Sequence, residues 1–168
     1  MHFKNITTHT FLTLGFMLVS MNGTSQDRDS LENQLSNRNL PVVTYLNICD
    51  ELSWSYLNDD FGKAKRFALQ GIERARSENI PTMEATLYRN LGVAYYMNSQ
   101  MDSAQLWLDR SLDLAITLKD EKLEAAVYGA IGNLHNVTGA YQEALSYYLK
   151  ALSMFESQGN NERIRSLL

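Results

Sequence analysis

The sequence predicts an all-α protein made of stacked helix hairpins, an α-solenoid with about three repeats of 40 residues. Of its 168 residues, 45% are apolar and 20% are charged, which is the composition of a folded protein. Nine Gly and two Pro give too few breaks for a sandwich of many short strands. Internal repetition at a period of about 20 to 50 residues is typical of stacked supersecondary units. These observations together favour helical repeats over a β fold.

The repeat is visible when three segments are aligned without a gap at offsets of 40 residues: Leu52–Phe61, Gly92–Met101 and Gly132–Tyr141. Apolar and small residues then share columns, which are Phe61, Met101 and Tyr141; Ala64, Ala104 and Ala144; and Ile72, Leu112 and Leu152. The predicted units are about 45–84, 85–124 and 125–164, and residues 165–168 begin a truncated fourth unit.

Residues 1–25 have the layout of a secretory signal peptide. Lys4 is the only charged side chain before the apolar run Phe11–Met21, and small residues follow at 23–25. The run is shorter than the roughly 17 to 25 apolar residues of a membrane span, and no cysteine follows it directly, which argues against a retained anchor and a lipoprotein. A buried first helix of the mature fold is the other interpretation. Cleavage after Ser25 would leave Gln26 at the N-terminus of an exported protein, periplasmic or secreted, with a net charge of −5.

Residues 26–41 form a polar lead-in before the repeats. Leu31 and Leu35 are four residues apart, as in a short helix, but the low apolar content of the segment favours a tether.

Each unit contains two segments with helical spacing of apolar residues, as Tyr88, Leu91 and Tyr95 show for one of them. The predicted helices span about 42–57, 61–78, 82–98, 101–118, 121–137 and 141–157. The residues that suggest their boundaries are Pro81 as a first helical residue, Asp60 and Asp120 as N-caps, and Gly139 and Gly159 in turns. Gly92 and Gly132 are expected to face the alanines in register, so that paired helices approach closely.

The third unit carries a recognisable pattern: Tyr128-x2-Ile131-Gly132-x2-His135, then Gly139-x-Tyr141-x2-Ala144-x3-Tyr148-x2-Ala151. It resembles a tetratricopeptide repeat, which implies a right-handed solenoid and a repeat domain over 42–168. The second unit fits well, whereas the first fits mainly through Ala64 and Ala68 in its second helix. Leu52 stands where a small residue is usual, which predicts looser packing of the first hairpin.

The order of leader, lead-in and opening unit resembles the exported N-terminal tetratricopeptide region of Bacteroidetes-type sensor and signalling proteins. Such proteins continue into a membrane span and a histidine kinase, cyclase or helix-turn-helix output module. The resemblance implies an alternative function, in which this chain is the sensory N-terminal fragment of a longer signalling protein.

Groups that could carry chemistry are few. The net charge of −4 argues against a nucleic-acid partner, and the single cysteine, Cys49, excludes an internal disulfide and a multi-cysteine metal site. Beyond the leader the only histidine is His135, at an apolar packing position. We therefore expect no catalytic residues, no cofactor and no metal site, and so no enzyme. A basic cluster on the second helix is expected to be a solvated face, with an acidic partner as the alternative: Lys63, Lys65, Arg66, Arg74 and Arg76.

Binding of a peptide or protein segment is the leading expectation. In a tetratricopeptide solenoid the first helix of each unit lines a concave groove. By register the residues expected there are Ser53, Tyr56, Thr86, Arg89, Asn90, Val93, Tyr96, Gly129, Asn133 and Asn136. Their mixture of aromatic, amide and guanidinium groups suits an extended peptide, although ordinary exposed polar positions would look similar. The family's two-carboxylate clamp is not expected, because only Asn90 matches it and the other columns hold Cys49, Ser53, Ala126 and Ala130.

The last eight residues, Asn161–Leu168, read as the opening of a fourth repeat. Ile164, Leu167 and Leu168 would be apolar with no following helix to cover them. This pattern predicts either a longer protein or self-association through the last helix pair.

Overall fold

The computed structural model describes residues 27–37 and 39–157, which divide between Leu40 and Pro41 into two compact units. The first unit contains helix α1 at residues 27–35. Within this described stretch, Leu31 and Leu35 are half-buried. A helix therefore forms where composition favoured a tether.

Up to residue 157, where the described part of the chain ends, the second unit contains six helices: α2 Val42–Ser55, α3 Phe61–Ser77, α4 Pro81–Met97, α5 Met101–Leu118, α6 Glu121–Val137 and α7 Tyr141–Ser157. Consecutive helices pack as pairs, and α4 also contacts α2 and α6. The first helices of the three hairpins are therefore neighbours. The predicted all-α fold is confirmed, and the predicted helix boundaries agree with the structure to within two residues.

The helix boundaries have the predicted chemistry. The carboxylates of Asp60 and Asp120 accept hydrogen bonds from the backbone N–H groups of Lys63 and Leu123, at 2.9 and 3.0 Å. Pro81 lies in the first turn of α4, where its missing N–H has no consequence. Gly139 has a φ of +82°, as a left-handed turn residue requires. Gly159 lies outside the described residues.

Four successive turns between helices have the same backbone hydrogen-bond pattern, which was not predicted from the sequence. Asn79, Ser99, Lys119 and Gly139 all have positive φ. In each turn the next backbone N–H bonds to the carbonyl five residues earlier, for example Gln100 to Tyr95 at 2.9 Å and Asp120 to Ala115 at 3.0 Å. This is the Schellman arrangement, and it ends α3, α4, α5 and α6 in the same way.

The helix pairs pack closely at the predicted small residues. Ala64, Ala104 and Ala144 are buried. A Cβ built on Gly92 would lie 2.7 Å from Leu108 Cγ and 3.2 Å from the Ala104 carbonyl oxygen, so α4 and α5 approach closely there because residue 92 is glycine. A Cβ on Gly132 would lie 2.6 Å from the Tyr148 ring, so the nearest neighbour of Gly132 is this ring and not the expected Ala144. At Leu52, where the pattern departs, the side chain is fully buried, and α2 packs on α3 less extensively than the two helices of each other hairpin pack on one another.

Candidate functional site

Residues of α2, α4 and α6, the first helix of each hairpin, line an open groove of about 1010 Å³ together with residues of α7. Its lining residues are Asp50, Glu51, Trp54, Ser55, Arg89, Val93, Tyr96, Ala125, Ala126, Gly129, Ala130, Asn133, Tyr148 and Phe155. Five of the residues expected in the groove are among them: Arg89, Val93, Tyr96, Gly129 and Asn133. The other five are elsewhere.

Ser53 and Asn90 are buried between α2 and α4 and do not face the groove. The Asn90 side-chain amide donates to the Asp50 carboxylate at 2.6 Å and to the Ser53 hydroxyl at 2.9 Å. Its oxygen accepts a hydrogen bond from Arg89 at 3.1 Å. This burial corrects the expectation for both residues, because neighbouring first helices meet at these positions and a buried amide must find partners there.

Tyr56, Thr86 and Asn136 also lie outside the groove lining. The Tyr56 ring stacks on Phe67 of α3, with ring centroids 6.0 Å apart, and is buried in the first hairpin. The Thr86 hydroxyl donates to the Thr82 carbonyl within α4. Asn136 is exposed near the end of α6. None of these three side chains belongs to the site that the structure forms.

The α2 end of the groove carries residues that the sequence analysis missed. Asp50 is half-buried, Glu51 is exposed, and Trp54 is 51% exposed. The Arg89 guanidinium lies 5.5 Å from the centroid of the Trp54 ring, within the range of a cation–π contact. A signal for these residues was available, since Asp50 shares the column of Asn90 and Trp54 follows one helical turn later.

The opposite end of the groove, at α6 and α7, is neutral. Its floor is formed by small residues, and its wall contains Tyr148 and Phe155. The Tyr148 hydroxyl donates to the Asn133 side chain at 2.8 Å, and burial raises the pKa of Tyr148 and of Tyr96. The wall was missed because register assigned the groove to first helices, whereas Tyr148 and Phe155 belong to α7.

Cys49 and His135 are packed residues. The Cys49 thiol is buried, and burial raises its pKa to about 12, so the thiol stays protonated and unreactive at neutral pH. His135 is half-buried and stacks on Tyr147 with ring centroids 5.3 Å apart. Within 27–37 and 39–157, no group of three His, Cys, Asp or Glu side chains could hold a metal ion.

The basic cluster on α3 makes contacts within the molecule. Lys63, Lys65 and Arg66 lie over aromatic rings, with the Lys63 ammonium 4.6 Å from the Tyr56 ring centroid. Arg74 and Arg76 pair with Glu78 and Glu84 at 3.0 and 2.8 Å. These contacts support the interpretation of the cluster as a solvated face, since each of its five cations already has a carboxylate or an aromatic ring beside it.

Residues 82–157 match the tetratricopeptide repeat family. The chain therefore contains a tetratricopeptide repeat domain over that range, a type of domain that generally mediates protein–protein interaction and is typically non-catalytic. The matched range covers α5, α6 and α7 and nearly all of α4.

The fold is similar to that of a solved structure, "Crystal structure of BtubC (BKLC) from P. vanneervenii". The TM-score is 0.60 at 15% sequence identity, over 88% of this chain and 70% of that chain. At this identity the likeness shows the fold alone. No curated protein matches the sequence. In the described part of the chain, no helix is both long enough and apolar enough to cross a membrane.

Proposed function

We propose that this chain is a non-enzymatic interaction module that binds an extended segment of a protein partner in the groove between α2, α4 and α6. The observation that carries the proposal is the lining itself. Trp54, Tyr96 and Tyr148 offer aromatic surface, while Arg89 and Asn133 offer polar groups beside it. Aromatic anchors with a few polar groups are typical of peptide-binding surfaces.

Selection from a displayed library of random twelve-residue peptides tests the proposal with the full chain. Bound peptides are then measured against Trp54→Ala, which removes an exposed ring from the groove, and against Leu106→Ala as the control. Leu106 on α5 is exposed to a similar degree, 49%, and lies outside the groove lining. We expect Trp54→Ala to weaken the peptides by about tenfold or more, as for an aromatic hot spot, and Leu106→Ala to leave binding unchanged. Equal effects of the two changes would contradict a groove site.

Export is part of the same proposal. It is supported by the layout of residues 1–25, which lie outside the described part of the chain. Mass spectrometry of the protein isolated from the periplasm or medium should give Gln26 as the first residue. Protein that retains Met1 in the cytosol would contradict export.

A sensory role in a longer signalling protein is the second candidate, supported by the resemblance of the chain's layout to such proteins. The DNA that follows the codon for Leu168 tests it directly. An immediate stop codon would refute this candidate, and an open frame into an output module would support it.

Self-association is supported by the outer face of α7. Tyr141, Leu145 and Leu149 follow one another at four-residue steps and are each more than half exposed. The predicted fourth-repeat residues, Ile164, Leu167 and Leu168, lie outside the described residues. Sedimentation of the full chain should show an oligomer that Leu145→Glu returns to a monomer. A wild-type monomer at all concentrations would refute self-association.

A further inference from the structure

We propose that the groove selects a segment with a lysine or arginine at the α2 end and, five or six residues away, an apolar side chain at the α6–α7 end. This inference rests on the proposed peptide-binding function and names the chemistry of the partner. It follows from the distribution of charge and side-chain size along the lining.

The α2 end favours a cation. Asp50 and Glu51 are adjacent in sequence and both line the groove, where ionised carboxylates can only accept hydrogen bonds. Trp54 lies one turn further along the helix and presents a ring face of the kind that attracts cations. The Arg89 guanidinium already lies 5.5 Å from the centroid of that ring, and the ring is still 51% exposed, so aromatic surface remains for a partner's side chain. The lining here holds two carboxylates and one guanidinium, so it carries an excess of negative charge.

Asn90 positions the acidic end before any partner arrives. Its amide holds the Asp50 carboxylate at 2.6 Å, and its oxygen accepts from Arg89 at 3.1 Å. Asn90 is fully buried, and its amide also bonds Ser53. A carboxylate fixed in this way binds with a smaller loss of side-chain entropy than a free surface carboxylate does.

The α6–α7 end favours an apolar group. The lining that these two helices contribute contains no charged side chain. Small residues at 125, 126, 129 and 130 leave space above the floor, and Phe155 and Tyr148 form the side of that space. Phe155 and Ala125 are buried against each other, so the surface left for a partner at this end comes mainly from the half-buried Ala126, Gly129 and Tyr148.

The distance between the two ends fixes the spacing in the partner. Packed helices lie about 8 to 10 Å apart, so α2 and α6, on either side of α4, are separated by roughly 16 to 20 Å. An extended chain advances about 3.3 to 3.6 Å per residue. Five or six residues therefore connect a cation at Asp50 and Glu51 with an apolar group over Ala126 and Ala130.

The charge of the whole chain acts in the same direction. The formal net charge is −4 at pH 7, so a cationic segment is attracted at long range. Association should therefore slow as the salt concentration rises, because attraction between exposed charges is screened beyond about 10 Å at 0.1 M salt.

The test uses the displayed library of random twelve-residue peptides and the full chain. The selected peptides should share a Lys or Arg five or six residues from an apolar residue. The best peptide is then remade with that cation changed to glutamate, and both peptides are measured against wild type, Glu51→Lys and Glu73→Lys. Glu73 is exposed on α3 outside the groove lining, so its replacement makes the same change in net charge elsewhere.

Glu51→Lys should weaken the cationic peptide about threefold to tenfold and strengthen the glutamate peptide, whereas Glu73→Lys should change either affinity less than about twofold. Peptides that need Trp54 but carry no cation, or that ignore Glu51→Lys, would overturn this inference and leave the proposed function standing. Peptides unaffected by Trp54→Ala, or a selection that yields no binder, would overturn the proposed function and this inference together.

Discussion

Replacement of Ala104 by leucine tests the contact on which the hairpin between α4 and α5 depends. Ala104 is fully buried, and a Cβ on Gly92 would lie only 3.2 Å from the Ala104 carbonyl oxygen. The three added carbons would contribute roughly 2.4 kcal/mol if they were buried without strain, at about 0.8 kcal/mol per carbon. The two backbones leave no such space. Overpacking therefore outweighs burial, and we expect Ala104→Leu to lower the free energy of unfolding by about 1 to 3 kcal/mol.

Urea denaturation followed by circular dichroism measures this loss. Thr117→Leu is the control, because Thr117 is exposed on the same helix and should tolerate leucine within about 0.5 kcal/mol. Ala144→Leu should resemble Ala104→Leu, since both alanines occupy one column of the repeat, and Gln142→Ala should resemble the control. Equal midpoints for Ala104→Leu and Thr117→Leu at unchanged m-values would show that α4 and α5 do not meet at this alanine.

Three further outcomes follow from single residues. Lys119→Gly should raise the free energy of unfolding by about 0.5 to 1 kcal/mol in a denaturant melt, because Lys119 has a φ of +56° at the end of α5; a loss would contradict the turn geometry. Asn90→Asp should cost roughly 3 kcal/mol at pH 7, since it sets a buried carboxylate against Asp50. The loss should shrink as the pH falls, starting above the ordinary pKa of a carboxyl group, because burial and the second carboxylate both favour the protonated form. Asp50→Asn, at the half-buried partner, should cost much less. Burial raises the pKa of Cys49 in the folded state to about 12, so the stability contributed by the protonated thiol is complete below the unfolded pKa of about 8.5 and is lost as the pH rises toward 12. Cys49→Ala should therefore lose less stability than wild type between these two pH values in denaturant melts. The same loss of stability in both proteins would contradict the raised pKa.

The helices could be predicted from the sequence because their signals are local. Periodic apolar residues place each helix, and Asp60 and Asp120 mark two starts through a side chain that bonds its own helix. The left-handed turn residues Ser99 and Lys119 gave no such signal, because neither is a residue type that favours positive φ. The Schellman hydrogen bonds that the four turns share impose the positive φ on these two residues.

The candidate site was only partly predictable, because register assigns a column but not the neighbours that a side chain meets. Val93 and Ser53 occupy the same column one repeat apart and both are buried, yet Val93 lines the groove whereas Ser53 bonds Asn90 between α2 and α4. Tyr148 and Phe155 reach the groove from a second helix, which depends on how α7 packs on α6. Such facts follow from tertiary packing and leave no mark in a single sequence.

One column of the repeat also explains why the groove has an acidic end. It holds Asp50 in α2, Asn90 in α4 and Ala130 in α6. In α4 this position is fully buried, because α4 packs between α2 and α6, and a carboxylate there would lose its hydration. In α2 the same position is half-buried, so Asp50 keeps access to water while it accepts the hydrogen bond from Asn90. An amide at the buried position is neutral and still bonds three neighbours, whereas Ala130 needs none. The change from an acid in α2 to an amide in α4 thus follows the loss of solvent access, and because Ala130 in α6 is uncharged, this column places a carboxylate only at the α2 end of the groove.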